Sequence, residues 1–220
     1  MLEIVIPVFN EEKILKEKED YYRALQQRAR LIFVDGGSTD ETVPLASRYG
    51  RVVFFKKGRA SQKKRGAREV TSDCLLFLNV DSYIDFKSIN EIKGALNNGS
   101  IAGCFTMKIE DDKKIFRLFE KLINWRARKF GVVDADLGLF VKGHVFERLG
   151  GFDELPLMDD ILFARKLRKQ GKITVLPFMI KVSARKWYEQ GFFKTFLNYF
   201  WAYVQLWSGI LSLRVKEDEN

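Results

Sequence analysis

Three stretches of the chain are apolar without alternation and end in polar or acidic residues: LEIVIPV at 2–8, LIFVD at 31–35 and CLLFLNV at 74–80. Such runs suit parallel strands covered by helices on both faces, because a strand with one wet face would alternate. Further apolar runs at 51–55 and 101–107 read as strands as well. A helix is expected from about Glu11, with Asn10 placed to cap its free amides. Gly36-Gly37 forms a turn tolerant of positive φ, and Ser38-Thr39-Asp40-Glu41 reads as a capping box opening a helix toward Arg48. Gly58 leads into a basic helix over 59–70, and another helix falls near 86–96. Strand and helix signals thus alternate to about residue 108, which predicts an α/β fold with a mostly parallel, Rossmann-like sheet.

The second half is patterned differently. Residues 113–130 form a basic amphipathic helix, 136–141 a short strand, 160–170 a helix with Ile161, Leu162, Ala164 and Leu167 at helical spacing, and 173–176 another short strand. Residues 195–213 carry no charge, a length at the lower limit for a membrane span. Such a helical segment can lie in a membrane interface or pack as a buried or dimer-forming helix. Its aromatic and polar residues favour peripheral membrane contact, or a homodimer through 192–213, over a full span.

Composition narrows the chemistry. With 220 residues the chain suits one substantial domain, and a net charge of +9 favours anionic partners such as nucleotide sugars, phospholipid surfaces or nucleic acid. The basic cluster around residues 56–68 is not interleaved with aromatics, which argues against a single-strand nucleic-acid platform. Cys74 and Cys104 lie in apolar runs without metal-ligand spacing and read as inert buried thiols, in keeping with a reducing cytoplasm. One histidine, His144, leaves no material for a His-based triad or a multi-His zinc site. No signal-peptide pattern precedes the first strand, so a cytoplasmic location is expected, peripheral on the inner face of the membrane if the C-terminal segment meets lipid.

In parallel α/β sheets ligands bind beyond the carboxyl ends of the strands. Asn10, Glu11, Asp35 and Asp81 all fall there, so one site gathers carboxylates beside Gly-rich turns, as a nucleotide diphosphate with a metal would require.

PVFNEE, VDGGSTDET, GRASQKKRGA, LLFLNVDS, LGGFDE and PLMDD-ILFARKLRKQG, taken in order and spacing, resemble the family 2 glycosyltransferases of GT-A fold. The group of short prokaryotic transferases with VDGGS, PLM-acid-Asp and SAR-basic-Trp is the nearest in pattern. The resemblance implies a GT-A domain over 1–187, with a nucleotide half at 1–108 and an acceptor half at 109–187, then a helical tail at 188–220. It implies transfer of a sugar from a UDP- or GDP-linked donor to a hydroxyl, with inversion and with Mg²⁺ or Mn²⁺. The acceptor class stays open among glycan, lipid and small molecule.

Carried over residue by residue, Pro7, Asn10 and Glu11 match the first nucleotide-contacting segment, Asp35 the base-contacting acid, and Arg59 and Gln62 residues facing the nucleotide, with the other basic residues of that helix peripheral. Asp81 matches the second acid of the Asp-x-Asp metal motif, whose first acid is replaced by Asn79. One carboxylate can suffice for Mg²⁺, which fills its shell with phosphate oxygens and water. Asp160 matches the catalytic base, with Asp159 before it, and an attacking hydroxyl does need such a base. Asp136 resembles an acid of the acceptor side, and Arg185 and Trp187 a basic-aromatic element closing over diphosphate or acceptor. Competing readings are a catalytically silent sugar-nucleotide binder, a nucleotidyltransferase lacking its Gly-rich signature, and a nucleic-acid binder that leaves Asp35, Asp81 and Asp160 without a role.

Overall fold

The structure, a computed structural model, describes residues 1–153 and 159–191, and the chain divides into two compact units, 1–182 and 183–220. The first unit runs β1 (Glu3–Val8), α1 (Glu12–Glu17), α2 (Glu19–Gln26), β2 (Arg30–Asp35), α3 (Thr42–Ala46), β3 (Arg51–Phe54), α4 (Arg59–Ala67) and β4 (Leu75–Phe77). It continues with β5 (Tyr83–Ile84), α5 (Ser88–Asn97), β6 (Ser100–Ile109), α6 (Lys114–Phe130), a 3₁₀ turn (Ala135–Leu137), β7 (Phe140–Val141), α7 (Gly143–Arg148), α8 (Asp159–Arg168) and β8 (Lys172–Val182). The second unit contributes α9 (Arg185–Gln190). The apolar segment expected at 195–213 and the Pro156–Met158 part of PLMDD lie outside the described residues.

One sheet holds the strands in the order β3-β2-β1-β4-β7-β6-β8-β5. The pairs β1–β2, β2–β3, β1–β4 and β6–β8 are parallel, and only β7 and β5 run against the rest. All six residues of β1 are buried, because it lies between β2 and β4; its sequence therefore does not alternate. Pro7 is tolerated in this inner strand because the ladder to β4 ends at Val5–Phe77, so the missing N–H breaks no bond there. Helix α4 packs on β1 and β2. It approaches closely through Gly66, where a Cβ would stand 2.5 Å from Val5 Cγ1 and 2.7 Å from Val34 Cγ2.

Several local expectations are corrected. Asn10 does not cap α1: it adopts φ 52° and turns its side chain to the neighbouring loop, while Glu11 occupies the cap position. The Ser38–Glu41 capping box does not form, since Ser38 Oγ donates to Asp35 and α3 starts only at Thr42. Residues 136–141 are not one strand, because Gly138 at φ 65° separates a 3₁₀ turn from the two-residue β7. Strand β8 is much longer than the expected 173–176. The β6–β8 register shifts between the pairs Cys104–Val175 and Thr106–Met179, and this irregularity accommodates Pro177 within the strand.

Candidate active site

At the carboxyl edge of the sheet, the loops after β1 and β2 are tied together by reciprocal hydrogen bonds. The Asn10 amide donates to Ser38 Oγ (2.9 Å) and Asn10 Oδ1 accepts from the Thr39 amide (2.9 Å). The Glu11 amide donates to Thr42 Oγ1 (2.7 Å), the Glu12 amide to Asp40 Oδ2 (3.2 Å), and the Glu41 amide to Glu12 Oε2 (3.1 Å). Asp35 organises the turn from beneath. Its carboxylate, 1% exposed, accepts from the Gly37 and Ser38 amides at 2.8 and 2.9 Å and from Ser38 Oγ. The acid expected to meet a base is thus folded into its own loop, and the open surface at that point is the Gly36–Ser38 turn.

Gln62, expected to face the nucleotide, is likewise turned inward. Its Nε2 donates to Val8 O (2.9 Å) and Val34 O (2.6 Å), and its Oε1 accepts from the Gly58 amide (3.2 Å). It braces the ends of β1 and β2 against the start of α4. Pro7 is buried within β1. Arg59 stands exposed at the first position of α4, and Glu11 is half-buried. Lys57 lies with its ammonium 3.7 Å from the centroid of Phe9, another cation on this side of the edge.

The second part of the site sets a buried lysine among half-buried carboxylates. Lys63, one helical step beyond Gln62, is 1% exposed, and its ammonium lies 5.5 Å from the centre of Phe152. Burial pushes its pKa down, while the carboxylates of Asp159, Asp160 and Asp136 pull it up. Asp159 and Asp160 open α8, and Asp160 Oδ1 accepts from the Ile161 amide (2.8 Å). Burial, reinforced by the charge of Asp160 and relieved by Lys63, pushes Asp159 up to about 6. Asp136 accepts a hydrogen bond from Asn79 Nδ2 (2.9 Å). Asn79, where the resemblance expects the first acid of a metal motif, therefore holds Asp136, the acid expected on the acceptor side.

Asp134 completes the group. It is bonded to Arg126 through Oδ2, whereas its Oδ1 is sealed from solvent with no hydrogen-bond partner. The side chain as a whole keeps 23% exposure, so one oxygen reaches a wet edge while the other is desolvated. Burial, offset by Arg126 and reinforced by Asp160 and Asp136, pushes Asp134 up to about 7. Behind these charges Phe77, Phe146, Phe152 and Phe163 form an aromatic cluster with centroids 4.9 to 5.3 Å apart, a dry wall that strengthens every interaction in front of it.

The structure therefore brings Asp136, Asp159 and Asp160 into one electrostatic network. Asp81, half-buried, sits within the short turn closed by the Ser82 amide on Asn79 O (3.1 Å). Among the described residues no set of three or more His, Cys, Asp or Glu side chains is arranged to hold a metal by itself. Arg185 and Trp187 lie on α9 in the second unit. Lys63, Arg126 and Asp134 are absent from the residues singled out by sequence. Lys63 was expected to be peripheral, yet it shares a buried helix face with Ala60 and Ala67, at the i, i+3, i+7 spacing that marks an inward stripe.

A mostly parallel sheet of this order, with carboxylates at its open edge and an acid pair on a following helix, defines the GT-A class of α/β fold. The model of Glycosyl transferase family 2 matches residues 3–149, and the chain belongs to that family. Among solved structures it is similar to S. aureus TarS 1–349 (TM-score 0.67, 17% identity, 83% of this chain and 60% of that one). The complex of TarS 1–349 with UDP gives a TM-score of 0.66 at 19% identity, over 86% of this chain and 63% of the other. The mannosyltransferase PcManGT of Pyrobaculum calidifontis, in complex with GDP-Man and Mn²⁺, gives 0.57 at 17% identity, over 81% and 56%. The chain thus spans about three-fifths of these structures, and at these identities the likeness is one of fold. No curated protein matches the chain.

Proposed function

We propose that the chain is an inverting glycosyltransferase that moves a sugar from a UDP- or GDP-linked donor to an acceptor hydroxyl, with Asp160 as the base. The observation that carries this reading is the acid pair at the start of α8 held beside a fully buried lysine. A hydroxyl attacking an anomeric carbon must lose a proton, and a carboxylate kept ionised in a half-dry site can take it. Lys63 opposes the mutual repulsion of Asp159 and Asp160, so one of them stays ionised near neutral pH. Asn79 orients Asp136 toward the same region, where it would position the acceptor.

Donor placement follows from the sheet edge. The tied loops after β1 and β2 form a fixed rim for the nucleotide, with Glu11, Arg59 and the Gly36–Ser38 turn as its reachable contacts. Asp81 would hold Mg²⁺ or Mn²⁺. Its hard oxygen suits either ion, and since the described residues hold no preformed cage, diphosphate oxygens and water would complete the shell. When bound, the ion would neutralise charge on the departing diphosphate. Arg185 and Trp187 are proposed to close over diphosphate or acceptor, a role that a guanidinium fork fits. Solved relatives support the donor class, since TarS 1–349 is seen with UDP-GlcNAc and with UDP, and PcManGT with GDP-Man and Mn²⁺. A lipid-linked or cell-envelope precursor is the acceptor class we favour, given the uncharged run at 195–213 and the charge of +9.

Asp160→Asn tests the reading. The substitution keeps size and the bond to the Ile161 amide but removes the base. Donor binding by calorimetry should stay near that of the wild type while transfer falls by about two to four orders of magnitude. Full transfer in this variant would refute the assignment, and a wild-type protein that binds donor but never turns it over would favour the silent binder.

A further inference from the structure

Helix α6 is turned inside out. The side facing the protein carries Phe116, Ile123 and Ala127, but also Glu120 and Asn124, both 8% exposed. These two polar residues serve the backbone of β6. Asn124 Oδ1 accepts from the Met107 amide (2.8 Å), its Nδ2 donates to Met107 O (2.9 Å), and a Glu120 oxygen accepts from the Ile109 amide (2.5 Å). The β6 ladder to β7 covers only Ala102 and Gly103. Beyond it the strand's backbone groups need partners, and α6 supplies them from its buried face.

The outward side is apolar and basic. Leu118 is 65% exposed, Trp125 54% and Leu122 52%, and Ile115 begins the same stripe, so the large residues recur at i, i+3, i+7 and i+10. Exposed Lys114, Lys121, Arg128 and Lys129 flank them, and no acid stands among the exposed residues of the helix. Met179 of β8, also exposed, joins Trp125 at a groove of about 630 Å³ whose rim adds Lys108 and Arg117. A helix with a cationic rim on a wide apolar face is not made for water. Its chemistry matches the boundary between anionic headgroups and acyl chains, where leucine and tryptophan enter and lysine and arginine stay at the phosphates.

We infer that the outward face of α6 docks this protein on an anionic lipid bilayer. The charge pattern chooses this partner over a second copy, because two such faces would bring like charges together. The surface belongs wholly to the first unit and does not depend on residues 195–213. It also lies next to the acceptor side, since Arg126 of the same helix is bonded to Asp134, two residues before Asp136. A docked α6 would therefore hold the acid network close to the headgroups.

Flotation of the full chain with vesicles of phosphatidylcholine, with and without 30% phosphatidylglycerol, tests this at about 0.05 and 0.5 M salt. Leu118→Ser/Leu122→Ser and Lys121→Glu/Lys129→Glu are the variants; circular dichroism and nucleotide binding confirm that each is folded. Both variants should lose at least tenfold in partition to anionic vesicles, and the wild type should bind neutral vesicles weakly and release at high salt. Wild-type protein that ignores anionic vesicles overturns the inference. So do variants that float like the wild type, which would move any membrane contact to residues 192–213, and a wild-type dimer that the serine variant converts to monomer. Loss of donor binding would instead strike at the proposed reaction, so the two ideas fail separately.

Discussion

Replacing Lys63 by methionine removes a buried ammonium while nearly preserving the stem that packs beside Phe152. The ammonium acts on Asp159 and Asp160, and Asp159 titrates at about 6 with it in place. An opposite charge within about 4–6 Å typically moves a carboxylate by about 1–3 pH units. The sign is fixed: losing the cation disfavours the ionised form, so Asp159 should titrate higher, between about 7 and 9. At pH 7 the ionised fraction would then drop from about nine-tenths to between one-half and one-hundredth, and transfer should fall about 2- to 100-fold. Stability should fall as well, by up to about 3–5 kcal/mol where the acids stay ionised and by less where they take up a proton, because one partner of a buried charge group is gone. The assay is a pH–rate profile of sugar transfer from pH 5 to 10, alongside donor binding. Activity should return on the alkaline side, with the acid limb displaced upward and donor affinity nearly unchanged. An acid limb that stays where the wild type has it, with activity lost equally at every pH, would refute the idea that Lys63 sets the ionisation of the pair.

Other consequences can be checked more briefly. Asp81→Ala should weaken nucleotide binding on the order of tenfold or more, since even part of a close charge pair near a protein surface is worth that much; EDTA should weaken the wild type equally and the variant no further, by calorimetry. Asp134 holds its proton to about 7 when folded and releases it near 4 when unfolded, so its contribution to stability is lost as pH rises through that window. Asp134→Asn should therefore gain on the wild type between pH 4 and 7, by up to about 4 kcal/mol and less in so far as its wet edge screens it, then stay level; parallel urea-unfolding curves across that range would contradict this. Gly66→Ala should destabilise by about 1–3 kcal/mol, read as a lower melting temperature, because its methyl group meets Val5 and Val34 at under 3 Å.

Residues 1–108 were the more legible in sequence because β2, β1 and β4 are inner strands paired in parallel with one another, and uninterrupted apolar runs such as 31–35 announce that directly. What the pattern could not show was the use of polar side chains inside the protein. Asn10, Asp35 and Gln62 stand where a nucleotide would be expected, and their hydrogen bonds go to loops and strand ends instead. Local rules for capping gave the wrong partner for Asn10 because the competing loop lies 28 or 29 residues away in sequence. Asp136, Asp159 and Asp160 of the second half were visible through resemblance, whereas Lys63 of the first half was hidden among basic neighbours that mostly face water. Strand β8 was expected only over 173–176, whereas it continues past Pro177 to Val182 through a shifted register.

The reciprocal bonds between the loops after β1 and β2 carry a consequence for how such a chain can change over time. Surface loops ordinarily accept insertions and deletions one at a time, each on its own account. Here Asn10, Glu11 and Glu12 find their partners at Ser38 through Thr42, position by position. A residue gained or lost in either loop would shift one half of the set against the other and strand several backbone amides at once. The two segments must therefore keep their lengths together, and divergence in this family member is confined there to exchanges of side chain that respect the pairing.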